Sequence, residues 1–298
     1  MCCFWAGAEG HGETPREGRD VKAPAFDYVR PTTLGEAVDV LAKATAAGRD
    51  AQVLAGGQSL LAMMNLRVSS PDLLIDISRL DELRAVADDR DAIRLGACVT
   101  HAAIEDGLAP DPSRGLMPRV AANLAYRAVR TKGTLGGSVA LSDPAADWVT
   151  VMQAMDAAVV LVGPGGRREI AAVDFTTGLY ETARGRDEII EAIRIPRLTD
   201  AARWGHAKFC RKSGEFATSI AAAVTDPVRR FARIVLGAAG RPPIVLQQAS
   251  QELLGGKSHD ALAHAADHDI AAHSEGFDDY QRSVHGAMIA RAVSQVLA

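Results

Sequence analysis

Cysteine is scarce, with four residues in 298, at Cys2, Cys3, Cys98 and Cys210, and none has zinc-finger or ferredoxin spacing. The chain is therefore not expected to carry a metal or an iron–sulfur centre of its own. No apolar run approaches the roughly 20 residues a membrane span needs, and the first residues lack the basic start and apolar core of a secretory signal. No membrane span and a cytoplasmic location with reduced thiols are the expectation. Charge of one sign is missing too. Against 37 acidic residues stand 33 basic ones, a formal net charge of −4, and the basic residues are scattered, which argues against a nucleic-acid partner.

Familiar nucleotide and hydrolase signatures are also missing. G-x-G-x-x-G occurs nowhere, so a Rossmann dinucleotide site is disfavoured. Ser138 and Ser142 lack a G-x-S-x-G elbow, which leaves a serine hydrolase unsupported. "GGKS" at 255–258 imitates the end of a phosphate loop, but Gln251 stands where the first glycine belongs and a helix-like stretch precedes it. Gly255 and Gly256 read as a helix stop. His264 and His268 lie four apart beside Asp267 on a probable helix, a weak metal signal better read as a solvated face.

With 48% hydrophobic residues the chain can bury a sizeable core, as one large domain or two medium ones, and no repeat of fixed period suggests a solenoid. Residues 1–20 carry no periodicity and read as a disordered extension or a mis-assigned start, the pattern beginning at Val21. Thr33 and Glu36 have capping-box spacing ahead of a helix with Leu34, Ala37, Val38 and Leu41 on one face. Residues 51–55 and 72–77 read as strands, "LRAVADDRDAIRLGA" as a hairpin turning at 88–91, and "RVAANLAYRAVR" as one helix ending in basic residues. A helix over "AADWVTVMQAM", a hairpin about "GPGG" and a strand closed by Pro196 follow. Beyond a boundary near Pro196, three strands ("HAKFCRK", "SIAAAV", "FARIVLGAA") and helices from about 246 to 297 make a smaller second domain.

Two glycine pairs stand out, "AGGQS" at 55–59 and "TLGGS" at 134–138, each delivered by apolar sequence. Glycine permits positive φ and removes Cβ, so successive backbone N–H groups can turn toward an anion. They read either as a pyrophosphate cradle or as two tight turns. Neither contains Lys or Arg, so in a cradle the neutralisation would come from backbone dipoles, a serine hydroxyl and an adjoining helix N-terminus. "SDPAADW" follows directly, and its Asp147 could hold ribityl hydroxyls, or Asp143 or Asp147 could simply cap the next helix.

"FDYVRPTTLGEAV", "VLAGGQSLLAMMNLRVSSPDLLIDISRL", "RTKGTLGGSVALSDPAADW" and "HAKFCRKSGEFA", in order from about Phe26 to the C-terminus, together resemble the FAD-binding medium subunit of molybdenum hydroxylases of the carbon monoxide, caffeine and nicotine dehydrogenase type. The resemblance implies an α+β chain. An FAD-binding domain of the vanillyl-alcohol-oxidase type would span residues 21–197, in subdomains of about 21–80 and 81–197, and a domain of the carbon monoxide dehydrogenase flavoprotein type would span 198–298. It implies that Ala55, Gly56, Gly57, Gln58, Ser59 and the adjoining Leu60, with Thr134, Leu135, Gly136, Gly137 and Ser138, hold the FAD pyrophosphate. Asp147 would bind the ribityl or ribose hydroxyls, Ile190 would line the flavin site, and Lys208 would approach the isoalloxazine, where a cation stabilises the reduced ring. Read without the resemblance, Lys208 is an exposed strand lysine.

In that family the molybdenum cofactor and two [2Fe–2S] clusters sit on separate large molybdopterin-binding and small iron–sulfur subunits. This chain would then be one third of a heterotrimer paired into a dimer of heterotrimers. It would have no catalytic residue of its own beyond the flavin, taking electrons from the nearer cluster to an external acceptor, and an exposed apolar area is expected for docking. Departures from relatives are Phe216 where some have Tyr, Ser138 where some have Asn, and Thr131–Lys132 where Asn-Arg is frequent. The alternatives are a self-sufficient flavin oxidase of the same fold, which lacks an evident His, Tyr and Arg constellation, and a non-enzymatic scaffold with the glycines as plain turns.

Overall fold

The structure, a computed structural model, describes residues 23–298; the expectation for residues 1–20 lies outside the described residues. The first layer is a parallel three-stranded sheet. Strand β1 (Asp27–Val29), helix α1 (Leu34–Ala46), β2 (Ala51–Leu54), helix α2 (Leu60–Asn65) and β3 (Leu73–Asp76) follow in sequence, and the sheet order is β1-β3-β2. α1 buries Leu34, Ala37, Val38 and Leu41 against Leu73 and Ile75 of β3, as the helical spacing predicts. Its N-terminus departs from a capping box in one respect. Thr33 accepts from the Glu36 amide, but the Glu36 carboxylate reaches past Thr33 to the amide and hydroxyl of Thr32.

The middle of the chain wraps an antiparallel five-stranded sheet. In order come β4 (Val86–Asp88), β5 (Ala92–Gly96), α3 (His101–Glu105), α4 (Leu116–Ala122), α5 (Arg127–Arg130), α6 (Leu135–Leu141), α7 (Asp147–Ala154), β6 (Ala158–Gly163), β7 (Gly166–Ala171), α8 (Ala172–Phe175), β8 (Thr176–Gly178), β9 (Glu181–Thr182) and β10 (Ile189–Pro196). The sheet order is β4-β5-β10-β6-β7, with a separate β8–β9 hairpin. The helix expected over "RVAANLAYRAVR" is two helices, α4 and α5, broken where Ala125 takes φ +36° and the Arg130 guanidinium binds the carbonyls of Leu124 and Ala125. A tertiary contact overrides the local pattern there. "TLGGS" is likewise no turn but the first turn of α6, capped by Thr134.

The last part is an antiparallel sheet of order β11-β12-β13-β14, made by β11 (Arg203–Phe209), β12 (Ser219–Asp226), β13 (Phe231–Gly237) and β14 (Ile244–Val245). Helices α9 (Gln247–Leu254), α10 (His259–Ala272) and α11 (Asp279–Leu297) follow. The two-residue β14 makes four strands where the sequence predicts three; it pairs with Val235 and Leu236 only and is too short to show a period. Alternation along β12 explains its all-apolar sequence. Ala221 and Ala223 face one side, with Ile289 and Val293 of α11, while Ala222 and Val224 face the other, with Trp148 and Val151 of α7. The second half of the chain thereby shares a core with the first.

Candidate functional site

Ligands of open parallel sheets bind beyond the carboxyl ends of the strands, and the small sheet delivers three such ends to one cavity of about 350 Å³. β1 runs into Arg30, β2 into Ala55, Gly56 and Gly57, and β3 ends on Asp76 and leads to Ser78 and Arg79; all of these line the cavity. The opposite wall is Cys98, Thr100, Thr131, Lys132 and Thr134, with Arg84 at the side.

Six consecutive amide N–H groups, from Ala55, Gly56, Gly57, Gln58, Ser59 and Leu60, find no acceptor among the described residues. Five of these residues are half-buried and only Gln58 is exposed; half-buried amides are nearly always paired, so such a run points to a missing acceptor. Gly57 adopts φ +70°, which turns the chain into α2. Gly56 has a different reason to lack a side chain, since a Cβ there would lie 2.0 Å from the Lys132 carbonyl oxygen. The first glycine pair is therefore pressed against the backbone that leads into the second. Gln58 folds its side chain back onto the Gly56 carbonyl at 3.1 Å, and the Ser59 side chain makes no capping hydrogen bond to α2.

The second pair is built differently from the first. Leu135 and Gly136 donate their N–H groups to Val99 and Ala97, both at 3.0 Å, Gly137 donates to the Thr134 hydroxyl at 3.1 Å and Ser138 to the Thr134 carbonyl at 3.0 Å. These four amides are spent on the fold. Their work is to seat α6 on the segment 97–100 between β5 and α3, where Thr100 bridges Thr134 and so sets it on the cavity wall.

Electrostatically the cavity holds one neutralised pair and three further cations. Arg30 binds Asp76 through Nη2 at 3.0 Å and Nε at 3.1 Å, and the Tyr28 hydroxyl donates to the same carboxylate. Burial alone would push the Asp76 carboxyl up, but hydrogen bonds from Ser78, Tyr28 and Arg30 hold it below its ordinary range. Burial pushes the Cys98 thiol up to about 12, so it lines the cavity as a neutral group. The side chains of Arg79, Arg84 and Lys132 are exposed and make no hydrogen bond or ion pair with a described residue. Arg79 and Arg84 carry no signal in the sequence, and Lys132 is marked only as a departure from relatives, because the glycine motifs themselves hold no cation; the usable signal is position, after β3 and just before "GTLGGS".

Asp147, Ile190 and Lys208 line a different part of the molecule. Asp147 is the first residue of α7, and its N-cap is Ala146, so neither Asp147 nor Asp143 caps the helix by a side chain; Asp143 instead accepts from the Ala145 amide. Lys208 on β11 is half-buried rather than exposed and donates to Asp147 Oδ2 at 2.7 Å. On the other side of the carboxylate His206 Nε2 stands 3.6 Å from Oδ1, and both atoms are buried without a hydrogen-bond partner. Burial pulls the His206 pKa down, against the pull of Asp147. Ile190, at the β10 bulge, lies in the core with Trp148. His268, one of the weak metal candidates, sits beside Gln248 instead.

His101, whose amide binds the Gly133 carbonyl, packs under the wall and accepts from Trp148 Nε1 at 3.1 Å. Burial, helped by the Arg130 charge, lowers its pKa to about 4. Between that value and the unfolded value near 6.5 the unfolded chain binds the extra proton, so the stability from neutral His101 is full above pH 6.5 and is lost as pH falls toward 4. Urea titrations should show the unfolding free energy dropping from pH 6.5 to 5. His101→Gln, which keeps an acceptor for Trp148, should reduce that slope, leaving the part due to His206 and His285, whose pKa values are also lowered. An unchanged slope would refute the assignment.

Among the described residues no helix is long and apolar enough to cross a membrane. A family model described as an FAD binding domain in molybdopterin dehydrogenase matches residues 24–198. The carbon monoxide dehydrogenase medium chain of Hydrogenophaga pseudoflava is 34% identical over 289 residues, covering 92% of this chain and 98% of its own. Caffeine dehydrogenase subunit beta of a Pseudomonas species is 33% identical, with 79% of this chain and 80% of its own covered. The structure of the H. pseudoflava carbon monoxide dehydrogenase that lacks the Mo-pyranopterin moiety is similar with a TM-score of 0.84 at 32% identity, covering 92% of this chain and 98% of that one. Quinoline 2-oxidoreductase from Pseudomonas putida 86 gives 0.79 at 30% identity over the same shares.

Proposed function

Because this chain belongs to the FAD-binding medium subunits of the molybdenum hydroxylases, we propose that it links a [2Fe–2S] cluster on a small partner subunit to an external electron acceptor. The organic substrate is then met on a large molybdopterin-binding subunit, and the whole is a cytoplasmic dimer of heterotrimers. The proposed division of the chain is an FAD-binding domain over 21–197 and a second domain over 198–298. FAD, when bound, supplies exchange of one or two electrons.

The observation that carries the reading is the run of six acceptor-less amides at residues 55–60, the first three of which, Ala55, Gly56 and Gly57, line the cavity. They fit a pyrophosphate, whose oxygens accept from backbone N–H groups where no Cβ intervenes. Ala55, Gly56, Gly57, Gln58, Ser59 and Leu60 are assigned that role through their backbone, with Thr134, Leu135, Gly136, Gly137 and Ser138 shaping the facing wall. Asp147 is assigned to ribityl hydroxyls, Ile190 to the flavin's surroundings and Lys208 to the ring. Asp147 Oδ2 pairs with the Lys208 ammonium at 2.7 Å, where a lone charge would be costly to bury.

The test uses the chain co-purified with its two partner subunits. Expected are a flavin spectrum, cluster reduction by the substrate of the large subunit, and acceptor reduction that depends on the flavin. Substrate oxidation by this chain alone would overturn the reading in favour of a self-sufficient oxidase.

A further inference from the structure

We infer that Arg79, Arg84 and Lys132 are the charge partners of the diphosphate, completing a site whose amides alone cannot neutralise it. The inference rests on the FAD reading above and adds the residues that give the site its electrostatics. Four cationic side chains line the cavity, but they are not equivalent. Arg30 is committed to the buried Asp76 carboxylate, whose second oxygen binds the Ser78 amide at 2.9 Å. That pair is balanced internally and presents no net charge to a ligand. Arg79, Arg84 and Lys132 make no such commitment, and they come from both walls. Arg84 lines the cavity together with Cys98, close enough for its charge to act on that thiol.

A diphosphate carries close to two negative charges, while amide N–H groups contribute only partial ones. Arginine and lysine at a phosphate give charge-assisted hydrogen bonds of about twice ordinary strength. Cations held on exposed, unpartnered side chains can close on the ligand from the rim after it has seated on the amides. The neutralisation that the glycine motifs lack is thus supplied from outside them.

FAD retention by the full-length chain, followed by the fluorescence of released FAD on dilution across a salt series, tests this. Arg79→Gln, Arg84→Gln and Lys132→Gln should each weaken binding about fivefold at low salt, the triple variant about a hundredfold, with a flatter salt dependence than the wild type. ADP should compete for the same site and should lose affinity in parallel. A triple variant that binds FAD like the wild type, with the same salt slope, overturns the inference while leaving the FAD reading intact. So does a triple variant whose FAD affinity falls while ADP competition does not, because the cations would then serve the flavin half. A wild-type chain that neither carries nor takes up FAD overturns both.

Discussion

Replacing Gly57 by aspartate should strip FAD from the chain, lowering affinity about a thousandfold, while asparagine at the same position should keep it within about tenfold. The two side chains have nearly the same size, and asparagine tolerates the left-handed backbone better than most residues, so the φ of +70° costs both variants little. Room is not the difference either, since the nearest atom to a Cβ at Gly57 is the flexible end of Leu61, at 2.9 Å. What differs is charge. A carboxylate at the rim of six acceptor-less amides would satisfy them itself and would face the diphosphate at a few ångströms, where one like-charge pair costs about 4 kcal/mol at an effective dielectric of 20. Released FAD after gel filtration, with circular dichroism as the check on folding, separates the variants. If asparagine loses FAD as fully as aspartate does, shape decides the site and the amide cradle is the wrong account.

The same region shows what the sequence makes legible. Gly56 and Gly57 announce a close backbone approach, and the strands on either side of them follow from apolar runs bounded by turn residues. The two-sided burial of β12 can be read from "SIAAAV", because a strand without polar alternation must be covered on both faces. The different employment of the second glycine pair cannot be read there. Its amides are spoken for by Val99 and Ala97, tens of residues upstream, and only the paired fold shows that. The break at Ala125 is similar: "NLAYRAVR" has helical spacing, and the Arg130 guanidinium that captures the Leu124 and Ala125 carbonyls is indistinguishable in sequence from a solvated helix-end arginine. The cations around the cavity were visible as residues but not as neighbours, since β3 and the segment before α6 meet only in three dimensions. Local signals mark where the backbone is special, and long-range pairing decides which of those places remains open to a ligand.

Asp147→Asn and Lys208→Met should each destabilise the chain by about 3–5 kcal/mol, and the double variant Asp147→Asn/Lys208→Met should recover most of that loss. The two side chains are 3% and 11% exposed and meet at 2.7 Å. Removing one partner leaves the other buried and uncompensated, which is far costlier than removing both. In Lys208→Met the carboxylate would turn to His206, whose Nε2 is 3.6 Å away and has no other partner. With the lowering effect of the Lys208 charge gone and Asp147 left to raise the His206 pKa, that variant should gain stability as pH falls toward about 6.5, over the range in which folded His206 holds a proton that the unfolded chain does not. The recovered double variant then separates two roles that stability alone confounds. If the pair faces the cofactor, the double variant folds but binds FAD more weakly, and its flavin reduction potential falls because no cation remains beside the ring. If the pair only joins α7 to β11, FAD affinity and potential both stay at wild-type values, and the assignment of Asp147 and Lys208 to the flavin is wrong. A double variant whose stability loss equals the sum of the two single losses would show instead that the two groups are not coupled, against the 2.7 Å contact that joins them.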